Sequence, residues 1–138
     1  RGAQPPRGAL RVITQKAVVS DGVSEAGLAA EEVATLWPAE TDIEWLHVPD
    51  LGRLRASDIP RDGRCNVLVS NRRGRYAEAA GWPIDLHIAL WNPFQALDLP
   101  VPTVLSWGYQ RPMLAALRRW LAGELTAQGL APVAALEA

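Results

Sequence analysis

The sequence predicts an α/β fold: a three-layer αβα sandwich built on a mainly parallel sheet of five or six strands. Three observations carry this expectation. Short runs rich in β-branched residues alternate with amphipathic stretches along the chain of 138 residues. The two best runs, Val67–Ser70 and Ile88–Leu90, are apolar without interruption, as strands covered on both faces are. Gly, Pro and Asp-Gly or Asn-Pro pairs fall between the runs and supply turns.

The elements follow in order. Residues 1–9, with Gly2, Pro5, Pro6 and Gly8, read as a linker or a cut end, and residues 10–138 as the domain. Leu10–Val19 contains the first strand, and Ser20-Asp21-Gly22 turns the chain toward a helix capped by Asp21 or Ser24. That helix sets Ala29, Val33, Leu36 and Trp37 on one face, leaves Glu31 and Glu32 outside, and stops at Pro38. Ile43–Val48 is the second strand, followed by a loop through Gly63. Val67–Ser70 is the third strand, and Arg72–Ala80 is expected to form a short amphipathic helix closed by Gly81. Asp85–Trp91 holds the fourth strand. Asn92-Pro93 opens a helical turn, and Pro100 and Pro102 frame a fifth strand at Thr103–Trp107. The clearest helix is Pro112–Ala122, with Met113, Leu114, Leu117, Trp120 and Leu121 in one stripe and Gly123 as its stop.

Composition narrows the function classes. The chain is 49% hydrophobic and 21% charged with a formal net charge of -1, so no bulk field draws it to nucleic acid or to an anionic membrane. No apolar run approaches the length of a membrane span. Cys65 is the only cysteine, which excludes an internal disulfide and suits a reducing, cytoplasmic compartment without fixing one.

Motifs for common chemistries are missing from the sequence. His47 and His87 are the only histidines and lack neighbours at metal-ligand spacing. Ser20, Ser70 and Ser106 lack the flanking glycines of a nucleophile elbow, and there is neither a P-loop nor a dinucleotide fingerprint. A phospho-receiver domain would need Asp and Lys where Asn71 and Gly108 stand. A flavodoxin phosphate loop would not carry the Asp21 carboxylate. Asp21, Asp50 and Glu78 could lie near strand ends, but a solvated turn or helix role suits each better. Open α/β sheets bind ligands at the carboxyl ends of their strands. By that analogy Ser20, Asp21, Asn71, Asn92 and Tyr109 are the candidate ligand-binding residues, with no metal ligand and no cofactor.

The stretch Ile88–Val133 carries a resemblance. It holds Asn92-Pro93 after a strand, then Pro100, a second strand, Tyr109, an Ala-rich helix ending in Leu121, Gly123 and Glu124, then Gly129 and Pro132-Val133. In that order and spacing it resembles the closing segment of family 3 glycoside hydrolases of the β-N-acetylhexosaminidase type. Trp91, Phe94 and Ala131 depart from that pattern. The resemblance implies an accessory C-terminal domain whose partner is an N-terminal catalytic barrel of the same polypeptide, with carbohydrate reached only through that barrel. It implies an Asp nucleophile and a His–Asp pair on the barrel, without metal or organic cofactor, and no catalytic residue in this chain. A barrel needs about 250 residues, more than this chain holds. The alternative is a stand-alone small-ligand-binding α/β module. A domain built to cover a partner should expose apolar surface, and Trp82 or Trp91, beside Pro83 and Pro93, are expected in that patch, with Trp107 and Trp120 in the core.

Overall fold

The computed structural model of the chain describes residues 3–17, 28–106 and 110–124. Five strands, β1 (Leu10–Gln15), β2 (Ile43–Val48), β3 (Cys65–Ser70), β4 (Leu86–Ala89) and β5 (Thr103–Leu105), form one sheet in the order β2-β1-β3-β4-β5. Every pairing is parallel. The α/β class and the parallel five-stranded sheet are therefore as the sequence predicts, with β3 at the centre. The order is that of a doubly wound sheet whose direction of growth reverses between β1 and β3.

Strand alternation sends successive side chains to opposite faces and so builds two cores. On one face Leu10, Val12, Val67, Val69, Leu86 and Ile88 pack under α1 (Ala30–Val33) and α2 (Arg111–Leu121) through Val33, Leu36, Leu114, Leu117, Trp120 and Leu121. On the other face Ile13 and Leu68 meet Leu51, Leu54, Ile59, Tyr76, Trp82, Ile84 and Leu99. These come from irregular chain and the short 3₁₀ turns Leu51–Arg53, Ala56–Asp58 and Pro93–Leu97.

Three local expectations change. The helix expected at Arg72–Ala80 does not form. Its first carbonyls are taken by side chains from the Pro93–Leu97 turn: Asn92 donates to the Arg73 carbonyl, and Gln95 to those of Arg72 and Gly74. The Tyr76 amide donates to the Asp98 carboxylate rather than to a helical carbonyl. Trp82 is not on the surface: it is 7% exposed and packs edge-on against Tyr76 at 5.2 Å. Met113 is 40% exposed, so α2 buries only Leu114, Leu117, Trp120 and Leu121. Gly123 does stop α2, at φ 80°, a conformation that favours glycine. The capping residues Asp21 and Ser24 and the core assignment of Trp107 lie outside the described residues.

Candidate functional site

The carboxyl edge of the sheet is where the fold would place a ligand. Of the residues expected there, Ser20, Asp21 and Tyr109 lie outside the described residues. Asn71 directly follows β3 and is 1% exposed. Its amide oxygen accepts from the Gln15 N–H at 3.1 Å, and its amide nitrogen donates to the Gln15 and Leu28 carbonyls, each at 2.8 Å. Asn71 thus ties the end of β1 to the chain entering α1, at the switch point itself. Asn92 caps the Pro93–Leu97 turn by accepting from the Phe94 N–H, and its amide nitrogen is spent on the Arg73 carbonyl. Both asparagines therefore hold main chain at the edge, on neighbouring strands.

Beside Asn71, the Arg72 guanidinium lies over the Tyr76 ring at 5.6 Å and pairs with Asp50 at 3.6 Å. It rests between Gly52 and Gly74, where a Cβ on either glycine would overlap it. The two glycines make a seat for a flat cation. The seat is fixed further by Arg75, which grips Asp98 through both carboxylate oxygens. Burial alone would raise the Asp98 carboxyl. The Arg75 guanidinium and the Tyr76 N–H outweigh it and hold the group below the usual range.

Beneath this edge lies a chain of polar side chains that the sequence names only one at a time. The Ser70 hydroxyl is 2.7 Å from Tyr76 Oη and 2.7 Å from His87 Nε2. The spacing is that of a nucleophile and its base, yet Ser70 and His87 are fully buried and Nδ1 of His87 has no partner among the described residues to orient it. Burial lowers the His87 pKa to about 4 and pushes the Tyr76 phenol up to about 12. Neutral, sealed groups with no path to substrate serve the core, so this arrangement is structural. At the opposite, amino edge, fully buried Arg11 binds Glu44, Asp62, Asn66 and the Pro60 carbonyl. Arg11 in turn holds the Asp62 carboxyl at about 2.

Besides its charged groups, the carboxyl edge also exposes an apolar pair. Phe94 is 41% and Leu97 47% exposed, and Trp91 is half-buried. In a 3₁₀ turn residues three apart eclipse one another, so Phe94 and Leu97 share a face, while Trp91 lies before the turn, ahead of its extended cap Asn92. Sequence reasoning picked out Trp91 but missed Phe94 and Leu97, although their spacing of three behind Asn92-Pro93 was the readable signal. A shallow groove of about 310 Å³ lies elsewhere, between residues 35–38 and the end of α2, lined by Trp37, Arg118, Arg119 and Glu124 among others. Among the described residues no His, Cys, Asp and Glu cluster could hold a metal, and no helix is long and apolar enough to cross a membrane. Searches of protein-family models, curated proteins and solved structures return no match to this chain.

Proposed function

We propose that this chain is an accessory domain of a β-N-acetylhexosaminidase-like glycoside hydrolase, and that it packs on a catalytic barrel carried elsewhere in the polypeptide. The observation that carries the reading is the exposed apolar pair Phe94 and Leu97, which follows the half-buried Trp91. It falls inside Ile88–Val133, the segment whose ordered motifs resemble the closing part of that family. Three facts support reading this pair as a docking surface rather than as part of a loose loop. The turn beneath it is capped by Asn92, Gln95 is fully buried, and the loop it leans on is clamped by Arg75 and Asp98. Rigid apolar anchors of this kind lose little entropy on association.

In this reading the domain binds and positions, while the nucleophile and the acid/base pair belong to the barrel. Two measurements test it. The coding sequence upstream of Arg1 should contain a (β/α)₈ barrel; a start codon or an unrelated domain there would end the proposal. The longer polypeptide should hydrolyse aryl N-acetylglucosaminides, and this chain alone should not. Turnover by the pure chain that disappears on changing one of its own carboxylates would place the chemistry here instead. A second reading, a stand-alone ligand-binding module, draws on the open groove at Trp37, Arg118 and Arg119. Saturable binding of a small anion that is lost in Arg118→Ala would favour it.

A further inference from the structure

We propose that the outer edge of β2 is a self-association surface, and that a second copy of this chain extends the sheet across it by antiparallel pairing about a twofold axis. Among the described residues β2 ends the sheet and pairs only with β1. An edge strand presents a row of N–H and C=O groups that can pair with another chain, and proteins blunt such edges with Pro, Lys, bulges or outward charge. Here the edge is six residues, Ile43–Val48, with neither Pro nor Lys. Its carboxylates are drawn back into their own chain. Arg11 binds both oxygens of Glu44, and Arg64 pairs with Glu44 at 3.6 Å and with Asp42 at 3.1 Å.

The hydrogen-bond pattern fixes what fits this edge. The Leu10 amide donates to the Asp42 carbonyl and the Lys16 amide to that of Val48. Backbone groups alternate sides along a strand, so Asp42, Glu44, Leu46 and Val48 face β1. Ile43, Trp45 and His47 then direct their N–H and C=O outward. In a twofold antiparallel pair with its axis normal to the sheet, directly opposed residues share a face. Only residue pairs of matching parity can therefore be opposite. With Trp45 opposite the partner's Trp45, Ile43 stands opposite the partner's His47, and all three outward donors on each copy meet the three outward acceptors of the other. Shifting the register to centre on Leu46 would bring Ile43 opposite Pro49, which has no N–H to give. Centring on Glu44 would bring His47 opposite Thr41, whose N–H is already given to the Pro38 carbonyl, so the edge is fully self-complementary with Trp45 at the centre, as an isologous contact requires. The side chains agree: Ile43 and Trp45 already lean over the α1–α2 core, and Trp45 touches both Trp37 and His47. The pairing continues that apolar face from one copy into the next. Because β2 lies at the far end of the sheet from β4 and β5, it leaves the Phe94 and Leu97 pair uncovered.

Sedimentation velocity on the whole chain tests this. At roughly 100 μM, enough to populate a dimer with micromolar Kd, the species should have twice the 15.0 kDa mass of the chain and should revert to monomer on dilution. His47→Pro removes an outward N–H without touching the ladder to β1, a position where edge strands tolerate proline. It should abolish the dimer while leaving thermal unfolding of the monomer nearly unchanged. Register is read separately in a Cys65→Ala background. Trp45→Cys brings two Cα atoms to about 5.5 Å, within disulfide reach, and should oxidise to a covalent dimer, whereas Leu46→Cys should not. A wild-type chain that stays monomeric at that concentration overturns the proposal. So does a dimer indifferent to His47→Pro in which the two cysteine variants cross-link equally.

Discussion

Burial of His87 makes a specific demand on the acid stability of this fold. The imidazole is fully buried, and its Nε2 is committed to Ser70. A protonated ring would carry an N–H at Nδ1, where no acceptor waits among the described residues. Burial lowers the pKa from 6.5 to about 4. A group whose pKa is depressed by folding binds fewer protons in the folded chain than in the unfolded one. Its stabilisation is fully present above 6.5 and is lost as the pH falls from there to about 4. Linkage at about 1.36 kcal/mol per pH unit gives a loss of roughly 2 kcal/mol by pH 5 and about 3 kcal/mol by pH 4. The carboxylates held low in the fold, Asp62 and Asp98, act only below their ordinary range near 3.8, so the interval from 6.5 to 5 isolates the histidine. Urea unfolding followed by tryptophan fluorescence at pH 7, 6 and 5 measures the slope. His87→Gln, which has no proton to take up, should cost some stability at pH 7 but flatten that slope. An unchanged wild-type midpoint between pH 6.5 and 5, or the same slope in His87→Gln, would refute the reasoning.

Other expectations follow from the same geometry. Asn71→Ala strips partners from the Gln15 N–H and from the Gln15 and Leu28 carbonyls; with water reaching part of the edge, chemical denaturation should show a loss of about 3 kcal/mol. Leu117→Ala, inside the α2 core, should cost about 2 to 4 kcal/mol in the same assay, while Met113→Ala, one turn earlier but exposed, should stay within about 0.5 kcal/mol. Phe94→Ser combined with Leu97→Ser should leave the unfolding midpoint nearly unchanged, yet lower the activity of any polypeptide in which this domain covers a barrel. A large stability loss from the double change would mean the two side chains belong to this domain's own core.

Most of the fold was legible because its signals are local. The apolar runs at Val67–Ser70 and Ile88–Leu90 and the spacing of Leu114, Leu117 and Leu121 report burial directly, and β2 appears with the bounds its sequence implies. What escaped depends on contacts distant in sequence. Arg72–Ala80 has helical spacing, but its carbonyls go to Asn92 and Gln95 some twenty residues on, a competition no window of the sequence contains. Trp82 looked exposed because of Pro83, whereas its burial is set by Tyr76. The polar chain from Tyr76 through Ser70 to His87 joins three segments; Ser70 and His87 stand out singly in the sequence, but nothing there brings them together. Asn71 and Asn92 were placed at the correct edge by topology alone. Their roles there follow from which main-chain groups lie within reach.

The parallel order of the sheet also bears on how the chain reaches this state. Because every pairing in the sheet is parallel, no strand can join its neighbour by a tight hairpin; every pairing waits for a crossover. During synthesis Leu10–Gln15 emerges first, but its second neighbour, β3, is complete only at Ser70. Such sheets form slowly and leave apolar strands unpaired for longer. Arg11 divides that first run, placing a charge within Leu10-Arg11-Val12-Ile13 until Glu44, Asp62 and Asn66 arrive to receive it. The residue that anchors the amino edge of the finished sheet therefore also acts as a gatekeeper, discouraging the nascent strand from pairing with a copy of itself.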